Sequence, residues 1–373
     1  MRLALVQDQL LTQGGSERVF LQMCRAFPRA DIYTLAYSPS RTLPEFRDLP
    51  VRTSWMNPVV PSHDVFRTAF PLARGVMERW DLRDYDVILT SSASTAKYVR
   101  RHRALHICYC YFPTRAIWTS EQYFGTTSLG IRGRIFRAFL PSFRRRDLAA
   151  AARVDHFIGI SKVSAEAIGR IYGKEAEILH APIDAERFRP GAEEPKGEHF
   201  LLVSRLERWK RLDYAIEACT RMDIPLRVVG QGLDEARLRS LAGPTVHFVG
   251  PVGDDQLVRE YGRARAVIFT PELEYGLVPL EANAAGTPVI ALGRGAMPEI
   301  MVDAVGGSDA PTAVFFQEQS PEAVMDALAR FENIRFDPMA LIAHARRFDI
   351  PAFREGLRRM VEEYASRLSC SAD

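Results

Sequence analysis

Short runs of β-branched and other apolar residues alternate with longer stretches of helical hydrophobic spacing along the whole chain. Strands alternating with amphipathic helices are typical of parallel sheets with crossover helices. Both halves show the pattern, which predicts an α/β fold. The predicted strands are Leu3–Val6, Ile32–Leu35, Val87–Thr90, Ile107–Tyr109 and His156–Ile160, then Phe200–Val203, Leu226–Val229, Val246–Val249, Ala266–Phe269 and Val289–Ala291.

A polar segment rich in proline and glycine, 189–198, separates the two halves and has the composition of a linker. We therefore predict one domain at 1–188 and another at 189–349. The end of the chain has helical spacing and predicts a closing helix within 350–373 that crosses back to the N-terminal domain. Its expected apolar side carries Phe353, Leu357, Met360, Val361 and Tyr364.

Composition supports a packed, two-domain protein. The 373 residues exceed what one hydrophobic core usually supports, and 47% hydrophobic with 25% charged residues is ordinary for a globular chain. The net charge of +3 gives no reason to expect nucleic acid as a partner. No apolar run approaches the ~20 residues that span a bilayer, and the N-terminus is predicted to be a first strand, not a signal peptide.

The five cysteines are scattered, as expected of reduced thiols in a cytosol. Cys108 and Cys110 would share one face of a strand, where either buried thiols or a metal site would suit their spacing. The sequence is therefore compatible with a cytoplasmic protein.

Candidate chemistry in the first half begins with Gly14 and Gly15, which follow the first strand and open a helix with Ser16. Glycines allow close backbone approach, and amides at a helix start favour phosphate. A tight strand-to-helix turn would also explain the pair. The residues alone leave both interpretations open.

In the second half, Arg205 and Lys210 fall in the loop after the strand at 200–203, where a guanidinium and an ammonium suit a diphosphate. A solvated basic loop is the alternative. Gly230 ends the next strand in a Gly-x-Gly turn. Further on, a Gly-bearing turn leads into a helix with Glu281, whose carboxylate can accept hydrogen bonds from two hydroxyls, such as those of a ribose.

The stretches Ser204–Leu206 with Lys210, and Tyr275–Ala282 followed by Gly286–Ala291, resemble the donor site of retaining GT-B glycosyltransferases of family 4. Further motifs resemble a branch containing mannosyltransferases of bacterial O-antigen (lipopolysaccharide) and exopolysaccharide biosynthesis. These are Asp81-Leu82, Tyr85–Ile88 with Ser91-Ser92, Tyr109-Cys110 with Pro113 and Arg115, Val154–Ile158, and Pro182–Asp184 with Arg187-Phe188.

The resemblance implies two Rossmann-like domains facing a cleft, with the acceptor bound by the first and the nucleotide sugar by the second. It implies transfer of a hexose with retention of configuration, with mannose from GDP-mannose as the first expectation. The acceptor would be a hydroxyl of a lipid-linked or polysaccharide glycan. No metal or cofactor beyond the nucleotide-sugar co-substrate is implied.

Site roles also follow from the resemblance. Arg205 and Lys210 would neutralise the donor diphosphate and stabilise the leaving nucleotide, and Glu281 would hold the ribose. The remaining implied donor contacts are Gly14 and Gly15 at the diphosphate and the backbone at Tyr275, Gly276 and Leu277. Gly230 is a further predicted donor contact, because a Gly-x-Gly turn permits close backbone approach.

The chain departs from the family pattern at two positions. The first glutamate of the family's acidic pair falls on Leu273, so either Glu272 or Glu274 replaces it or the sugar contact is lost; Glu274 is our prediction. Where relatives have a histidine after Tyr-Cys, this chain has Tyr111. A tyrosine there can hydrogen-bond a sugar hydroxyl, but it cannot serve as a cation near neutral pH. The predicted catalytic residues are Arg205, Lys210, Glu274 and Tyr111.

A basic stretch at 131–153 holds seven arginines and one acid, Asp147, for a local charge of 7 − 1 = +6. It suits either peripheral contact with an anionic membrane or a solvated helix face packed on the domain. The arginines are Arg132, Arg134, Arg137, Arg144, Arg145, Arg146 and Arg153. Nucleic acid is not expected, because no aromatic stacking platform accompanies them.

Three other functions stay open at this level. A nucleotide-sugar epimerase or a sugar phosphorylase would share the fold, and a nucleotide-sugar-binding subunit without turnover would fit the changes at Leu273 and Tyr111. A dehydrogenase is disfavoured, since neither glycine turn completes the dinucleotide fingerprint.

Overall fold

A computed structural model describes residues 1–119, 130–306 and 309–370. The chain forms two compact units. The first comprises Met1–His180 together with Phe353–Asp373, and the second comprises Ala181–Ala352.

The first unit is built on a seven-stranded parallel sheet in the order β3-β2-β1-β4-β5-β6-β7. Its strands are β1 Leu3–Gln7, β2 Asp31–Thr34, β3 Val51–Thr53, β4 Val87–Ser92, β5 Leu105–Cys110, β6 His156–Gly159 and β7 Ala176–Ile178. Every residue of β1, β4 and β5 is buried, as expected of central strands covered on both faces.

The helices of the first unit connect these strands. They are α1 Gly15–Ala26, α2 His63–Met77, α3 Arg115–Trp118, α4 Gly130–Ala152 and α5 Lys162–Tyr172, with short 3₁₀ turns at Pro44–Asp48, Asn57–Val59 and Ala96–Tyr98. No helix in the described ranges is long and apolar enough to span a bilayer.

The second unit contains a six-stranded parallel sheet in the order β10-β9-β8-β11-β12-β13. Its strands are β8 Phe200–Val203, β9 Leu226–Val229, β10 Val246–Gly250, β11 Val267–Phe269, β12 Val289–Leu292 and β13 Ala313–Phe316. Two buried apolar clusters, one centred on Leu201 and Val267 and the other on Leu202 and Ile268, contain alternate residues of the same strands.

Helices of the second unit are α6 Ala185–Phe188, α7 Asp213–Arg221, α8 Glu235–Leu241, α9 Asp254–Arg263, α10 Leu277–Ala284, α11 Met297–Ile300, α12 Pro321–Phe331 and α13 Pro338–Arg346. Its 3₁₀ turns are Arg189–Glu193, Arg208–Lys210 and Ala304–Gly306.

In each sheet, successive strands are first added on one side of the first strand and then on its other side. β1 lies between β2 and β4, and β8 lies between β9 and β11. Ligands of open parallel sheets bind beyond the carboxyl ends of the strands at such switch points. The loop carrying Gly14 and Gly15 follows β1, and the loop carrying Arg205 follows β8, so both predicted phosphate-binding loops lie where the topology favours a ligand.

The last helix, α14 Ile350–Cys370, confirms the predicted amphipathic segment, because all five predicted apolar residues are buried. From Phe353 onward it belongs to the first unit. The Phe353 ring lies 5.8 Å from that of Tyr109, and the Tyr364 ring stacks on His156 at 4.0 Å.

The segment predicted to be a linker is part of the second unit, and the division of the chain falls before it, between His180 and Ala181. The 3₁₀ turn Arg189–Glu193 packs against α9. A Cβ at Gly262 would lie 2.0 Å from the carbonyl oxygen of Gly191, so both glycines serve close backbone packing. Their composition suggested a linker because packing glycines and flexible glycines look alike in a sequence.

All ten predicted strands are present, but the sequence did not predict β3, β7 and β13. β3 and β7 are edge strands of three residues, too short for a periodic signal, and Glu177 and Ile178 of β7 are exposed. β13 is a buried four-residue apolar run whose signal was present and was missed.

Among the described residues, Cys24, Cys108, Cys110 and Cys219 are buried free thiols. Burial raises the pKa of Cys24 and of Cys219, the latter to about 12, so these side chains are unreactive packing residues.

Candidate functional site

The loop after β8 holds two cations. Arg205 is exposed, whereas Lys210 is half-buried and donates a 2.8 Å hydrogen bond from Nζ to Ser204 Oγ. The Lys210 carbonyl accepts a 3.1 Å bond from Thr270 Oγ1, at the end of β11. Ser204, after β8, thus holds the ammonium of Lys210, and Thr270, after the neighbouring strand β11, holds its backbone.

The electrostatic state of this loop favours an anion. Burial and the positive charge of Arg205 lower the pKa of Lys210 to about 8, with Glu207 acting weakly in the other direction. A bound anion would relieve both effects, because it adds a negative charge beside an ammonium that is poorly hydrated.

Gly230 has a local structural explanation. Its φ is +127°, and a Cβ there would lie 1.9 Å from the carbonyl oxygen of Ser204. A Cβ at Gly232 would likewise lie 2.3 Å from the Leu206 carbonyl oxygen. The two glycines therefore let the β9 turn support the backbone of the cationic loop, and the donor contact predicted for Gly230 stays a prediction.

Glu281 lies on α10, and its Oε2 accepts a 2.8 Å hydrogen bond from the hydroxyl of buried Tyr261. Burial and the neighbouring Glu281 raise the pKa of Tyr261 well above its usual value. The phenol therefore stays protonated and donates a hydrogen bond to the carboxylate. No pattern in the sequence pointed to Tyr261. This tyrosine orients the carboxylate that is predicted to bind a ribose.

The turn before α10 is also held from several sides. The Tyr275 hydroxyl donates a 2.8 Å bond to the Ala181 carbonyl. A Cβ at Gly276 would lie 2.9 Å from Cε of Met297 and 3.2 Å from Phe269, so a larger residue here would require these side chains to shift. Leu277 begins the helix and packs against the core.

At the position of the missing glutamate, Leu273 packs its side chain against the apolar core of the second unit. Its carbonyl accepts a 3.0 Å bond from the Ala296 amide, and Gly295, with φ +63°, allows this approach. On either side of it, Glu272 is exposed and Glu274 is half-buried. Leu273 therefore anchors the loop. That Glu274 takes the role of the missing glutamate stays a prediction.

In the first unit, the turn of Gly14 and Gly15 is occupied by a carboxylate of its own helix. Glu17 is buried, with Oε1 accepting from Gln9 Nε2 at 2.9 Å and from Thr12 Oγ1 at 2.7 Å. Burial raises the pKa of Glu17. A Cβ at Gly14 would lie 2.8 Å from Glu17 Oε2, which is a packing reason for glycine. Glu17 was missed, although a glutamate three residues after a helix N-cap is a known capping signal.

Tyr111 follows β5 and bridges two elements. Its hydroxyl donates to the Ser16 carbonyl at 3.1 Å and lies 3.0 Å from Ser91 Oγ. Burial raises its pKa, so the phenol is neutral. This hydroxyl therefore joins β4 to the first turn of α1.

Asp8 was also missed by the sequence reasoning. Its buried carboxylate accepts hydrogen bonds of 2.5–2.9 Å from four successive backbone amides of the loop after β4, those of residues 93–96. Such an arrangement of amides binds anions, and here the chain fills it with its own side chain.

Comparison with known families gives two consecutive matches. The model described as Glycosyltransferase Family 4 matches residues 13–187, and the model described as Glycosyl transferases group 1 matches residues 184–348.

Curated relatives agree with these matches. The chain is 25% identical over 406 residues to alpha-1,3/1,6-mannosyltransferase ALG2 of Homo sapiens, covering 93% of this chain and 92% of that protein. It is 32% identical over 235 residues to the D-inositol 3-phosphate glycosyltransferase of Saccharomonospora viridis, covering 53% of each. The match to this bacterial relative spans about half of its length.

Solved structures share the fold. HepE from Anabaena, in complex with UDP, superposes with a TM-score of 0.68 at 17% identity, covering 97% of this chain and all of that one, 100%. Sucrose-phosphate synthase from Thermosynechococcus elongatus gives a TM-score of 0.70 at 16% identity, covering 98% and 100%. From the succession of the two family matches and the two parallel-sheet units, the chain belongs to the family 4 glycosyltransferases of the GT-B fold.

Proposed function

We propose that this glycosyltransferase moves a hexose from a nucleotide diphosphate donor to a hydroxyl of a lipid-linked or polysaccharide glycan, with retention of anomeric configuration. The observation that carries the proposal is the paired cation site of Arg205 and Lys210 at the carboxyl end of β8, where burial and like charge favour an anionic ligand.

GDP-mannose is the first donor to test, because the relative aligned over nearly the full chain is a mannosyltransferase. UDP-glucose is the second, since HepE was solved with it. The two donors differ in base and sugar but share the diphosphate. Arg205 and Lys210 would serve either one.

In the proposed site, Arg205 and Lys210 neutralise the diphosphate and stabilise the leaving nucleotide. Glu281, oriented by Tyr261, accepts the ribose hydroxyls. The backbone of Tyr275, Gly276 and Leu277 and the carboxylate of Glu274 are proposed to contact the sugar. Contact of Gly14 and Gly15 with the diphosphate stays a prediction from the resemblance.

The proposed reaction is a front-face displacement. The bond from the anomeric carbon to the diphosphate oxygen breaks as the acceptor oxygen bonds to the same face, and the acceptor proton passes to the departing phosphate. The two cations supply the positive charge that a metal ion supplies in other transferases, so we propose that no metal is needed.

Thermal-shift measurements with a panel of nucleotide sugars test the donor assignment, because a ligand that binds the native state raises the melting temperature of the protein. Arg205→Ala and Lys210→Ala are each expected to raise the donor Kd about tenfold or more, since hydrogen bonds to charged groups contribute roughly 1.5–3 kcal/mol. Arg208→Ala, an exposed arginine of the same loop, is the matched control. Unchanged donor affinity in both test variants would refute the site.

A second candidate is a nucleotide-sugar-binding subunit without turnover. It is favoured by Leu273, whose side chain packs against the core at the position where the family pattern predicts a glutamate. Product analysis distinguishes the two. Binding of a donor with neither hydrolysis nor transfer to any acceptor of a broad panel would favour the binding subunit, and a transferred sugar would exclude it.

A further inference from the structure

The solvent side of α4 carries four exposed arginines, Arg137, Arg144, Arg145 and Arg146. Within the part of the chain that the structure describes, none of them forms an ion pair. Arg144 donates to the Ile117 carbonyl at 3.3 Å and lies over the Trp118 ring, and neither contact neutralises its charge. The side chains of Arg132 and Arg134 lie outside the described residues. Arg153, the last arginine of the stretch, is paired with Glu78.

The single acid of the stretch does not offset these charges. Asp147 is 0% exposed and forms an ion pair with Lys97, which is 1% exposed. The exposed surface of the helix therefore carries four positive charges and no negative one between residues 136 and 152.

A further arginine adds to this field. Arg74 on α2 is buried, and both burial and the charge of Arg146 lower its pKa. Two like charges thus lie close enough to repel each other. A surface with this excess of positive charge favours an anionic partner.

An aromatic group lies on the same helix. Phe139 is 57% exposed, and its ring centroid lies 6.4 Å from that of Phe143, which in turn lies 5.7 Å from Phe136. Exposed aromatic side chains beside arginines are typical of helices that lie in the headgroup region of a bilayer.

The distribution of positive charge around α4 suits a flat anionic surface better than a narrow groove. At about 100° per residue, Arg137 and Arg144 lie together on one flank of α4, Arg145 lies about 100° further round, and Arg146 and Phe139 lie on the opposite flank, so that Arg145 is central on the exposed side. Charge spread in this way matches the diffuse field of an anionic lipid surface.

From these observations we infer that the exposed face of α4, formed by Arg137, Phe139, Arg144, Arg145 and Arg146, docks on an anionic lipid bilayer. The inference goes beyond the proposed function and does not depend on it. If both hold, the enzyme is peripheral on the inner face of the cytoplasmic membrane, where a lipid-linked acceptor is within reach.

The test is co-sedimentation of the full chain with vesicles of phosphatidylcholine alone and with added phosphatidylglycerol. Binding is expected only with the anionic lipid and is expected to weaken as salt rises. Combined Arg137→Gln, Arg145→Gln and Arg146→Gln should lower the partition coefficient about 100-fold, since each basic residue contributes about fivefold, or about 1 kcal/mol.

A matched triple variant separates this face from net charge. Arg52→Gln, Arg83→Gln and Arg367→Gln remove the same charge from exposed arginines of the first unit that are each paired with a carboxylate. Binding should change by less than about threefold. An equal loss in both triple variants would overturn the inference, as would absence of binding to the anionic vesicles at low salt.

Phe139→Ser tests the contribution of the exposed aromatic ring to vesicle binding. It should weaken vesicle binding even at salt concentrations that screen the arginines, because burial of an aromatic ring does not depend on ionic strength. Circular dichroism confirms that each variant is folded. If duplex nucleic acid displaces the protein from the vesicles at equal charge concentration, the surface is a nucleic-acid site and the inference fails.

Discussion

The ammonium of Lys97 and the carboxylate of Asp147 lie 2.9 Å apart, with side chains that are 1% and 0% exposed. The remaining polar atoms of the pair are also satisfied. Asp147 accepts from Tyr98, Thr114, Trp118 and Tyr172, and Lys97 donates to Ser94 and Thr114. This buried pair joins the loop after β4 to α3, α4 and α5, and so fixes the base of the arginine-rich helix.

Breaking the pair from one side should strongly destabilise the first unit. Lys97→Met leaves Asp147 buried without its counterion, and about 3–5 kcal/mol of stability is the usual cost. The double variant Lys97→Met with Asp147→Asn should recover part of the loss, because no uncompensated charge remains and the amide oxygen still accepts from the surrounding side-chain donors. Differential scanning calorimetry measures both. Equal destabilisation by the single and double variants would contradict this account.

His106 should make the first unit sensitive to acid. It is fully buried, its Nε2 lies 3.1 Å from Thr90 Oγ1, and its Nδ1 has no partner among the described residues. Burial, with the charges of Arg153 and Arg101, lowers its pKa to about 3. The folded state therefore keeps it neutral, while the unfolded chain takes up a proton below about pH 6.5.

The stabilisation is complete above about pH 6.5 and is lost as the pH falls toward about 3, at up to about 1.4 kcal/mol per pH unit. His106→Gln keeps a side-chain amide near Thr90 and should flatten the stability profile between these limits. His247→Gln, at an exposed position, serves as control and should leave the slope unchanged. Thermal melts over the pH series give the comparison, and equal slopes for wild type and His106→Gln would show that another group controls acid lability.

The sequence predicted the sheets well because central parallel strands are continuous apolar runs, as in Phe200–Val203, which has the same bounds in the structure. It predicted the linker wrongly at Gly191, since glycine composition does not distinguish flexibility from close packing. The sequence did not predict the hydrogen-bond partners that hold the candidate site residues in place. Tyr261 and Glu281 are 20 residues apart, and only the packing of α9 against α10 brings them together.

Lys210 should give donor binding a pH dependence. Its pKa is lowered from the usual value to about 8 by burial and by Arg205, so the ammonium is progressively lost as the pH rises through about 8. Affinity for an anionic donor should therefore fall above that pH, toward tenfold per pH unit. Calorimetric titration with a nucleotide sugar between about pH 6.5 and pH 8.8 measures it.

Lys210→Arg is the matched variant, because a guanidinium keeps its charge throughout this range. Its affinity should be flat with pH, whatever its absolute value. A profile that falls equally in both proteins would assign the pH dependence to another group.

Gly230→Ala should be severe for a structural reason. The added Cβ would lie 1.9 Å from the Ser204 carbonyl, and a φ of +127° is strained for alanine. We expect a loss of more than about 3 kcal/mol or an insoluble protein. Gly253→Ala, where a Cβ would meet nothing within 4 Å, should be close to neutral. A stable Gly230→Ala protein with weakened donor binding would instead favour the direct ligand role.

Tyr111 offers the sharpest test of the acceptor side. A carbonyl oxygen only accepts, so the phenol proton is committed to Ser16 and the Ser91 hydroxyl must donate to the phenol oxygen. Its raised pKa, caused mainly by burial, keeps that proton in place at neutral pH. We therefore expect Tyr111 to act by positioning the first turn of α1, and not by transferring a proton to substrate.

Tyr111→Phe keeps the edge-to-face contact of the ring with Tyr109 and removes only the hydroxyl that bridges Ser91 and Ser16. It should cost about 1 kcal/mol of stability and lower kcat without changing the donor KM or the shape of the pH profile. Ser91→Ala, which leaves the bond from Tyr111 to Ser16 in place, should have the smaller effect on kcat. A changed pH profile in Tyr111→Phe would mean that the phenol takes part in proton transfer. An unchanged kcat would mean that the predicted catalytic role of Tyr111 is wrong, because the bridge would then serve only the packing of α1 on the sheet.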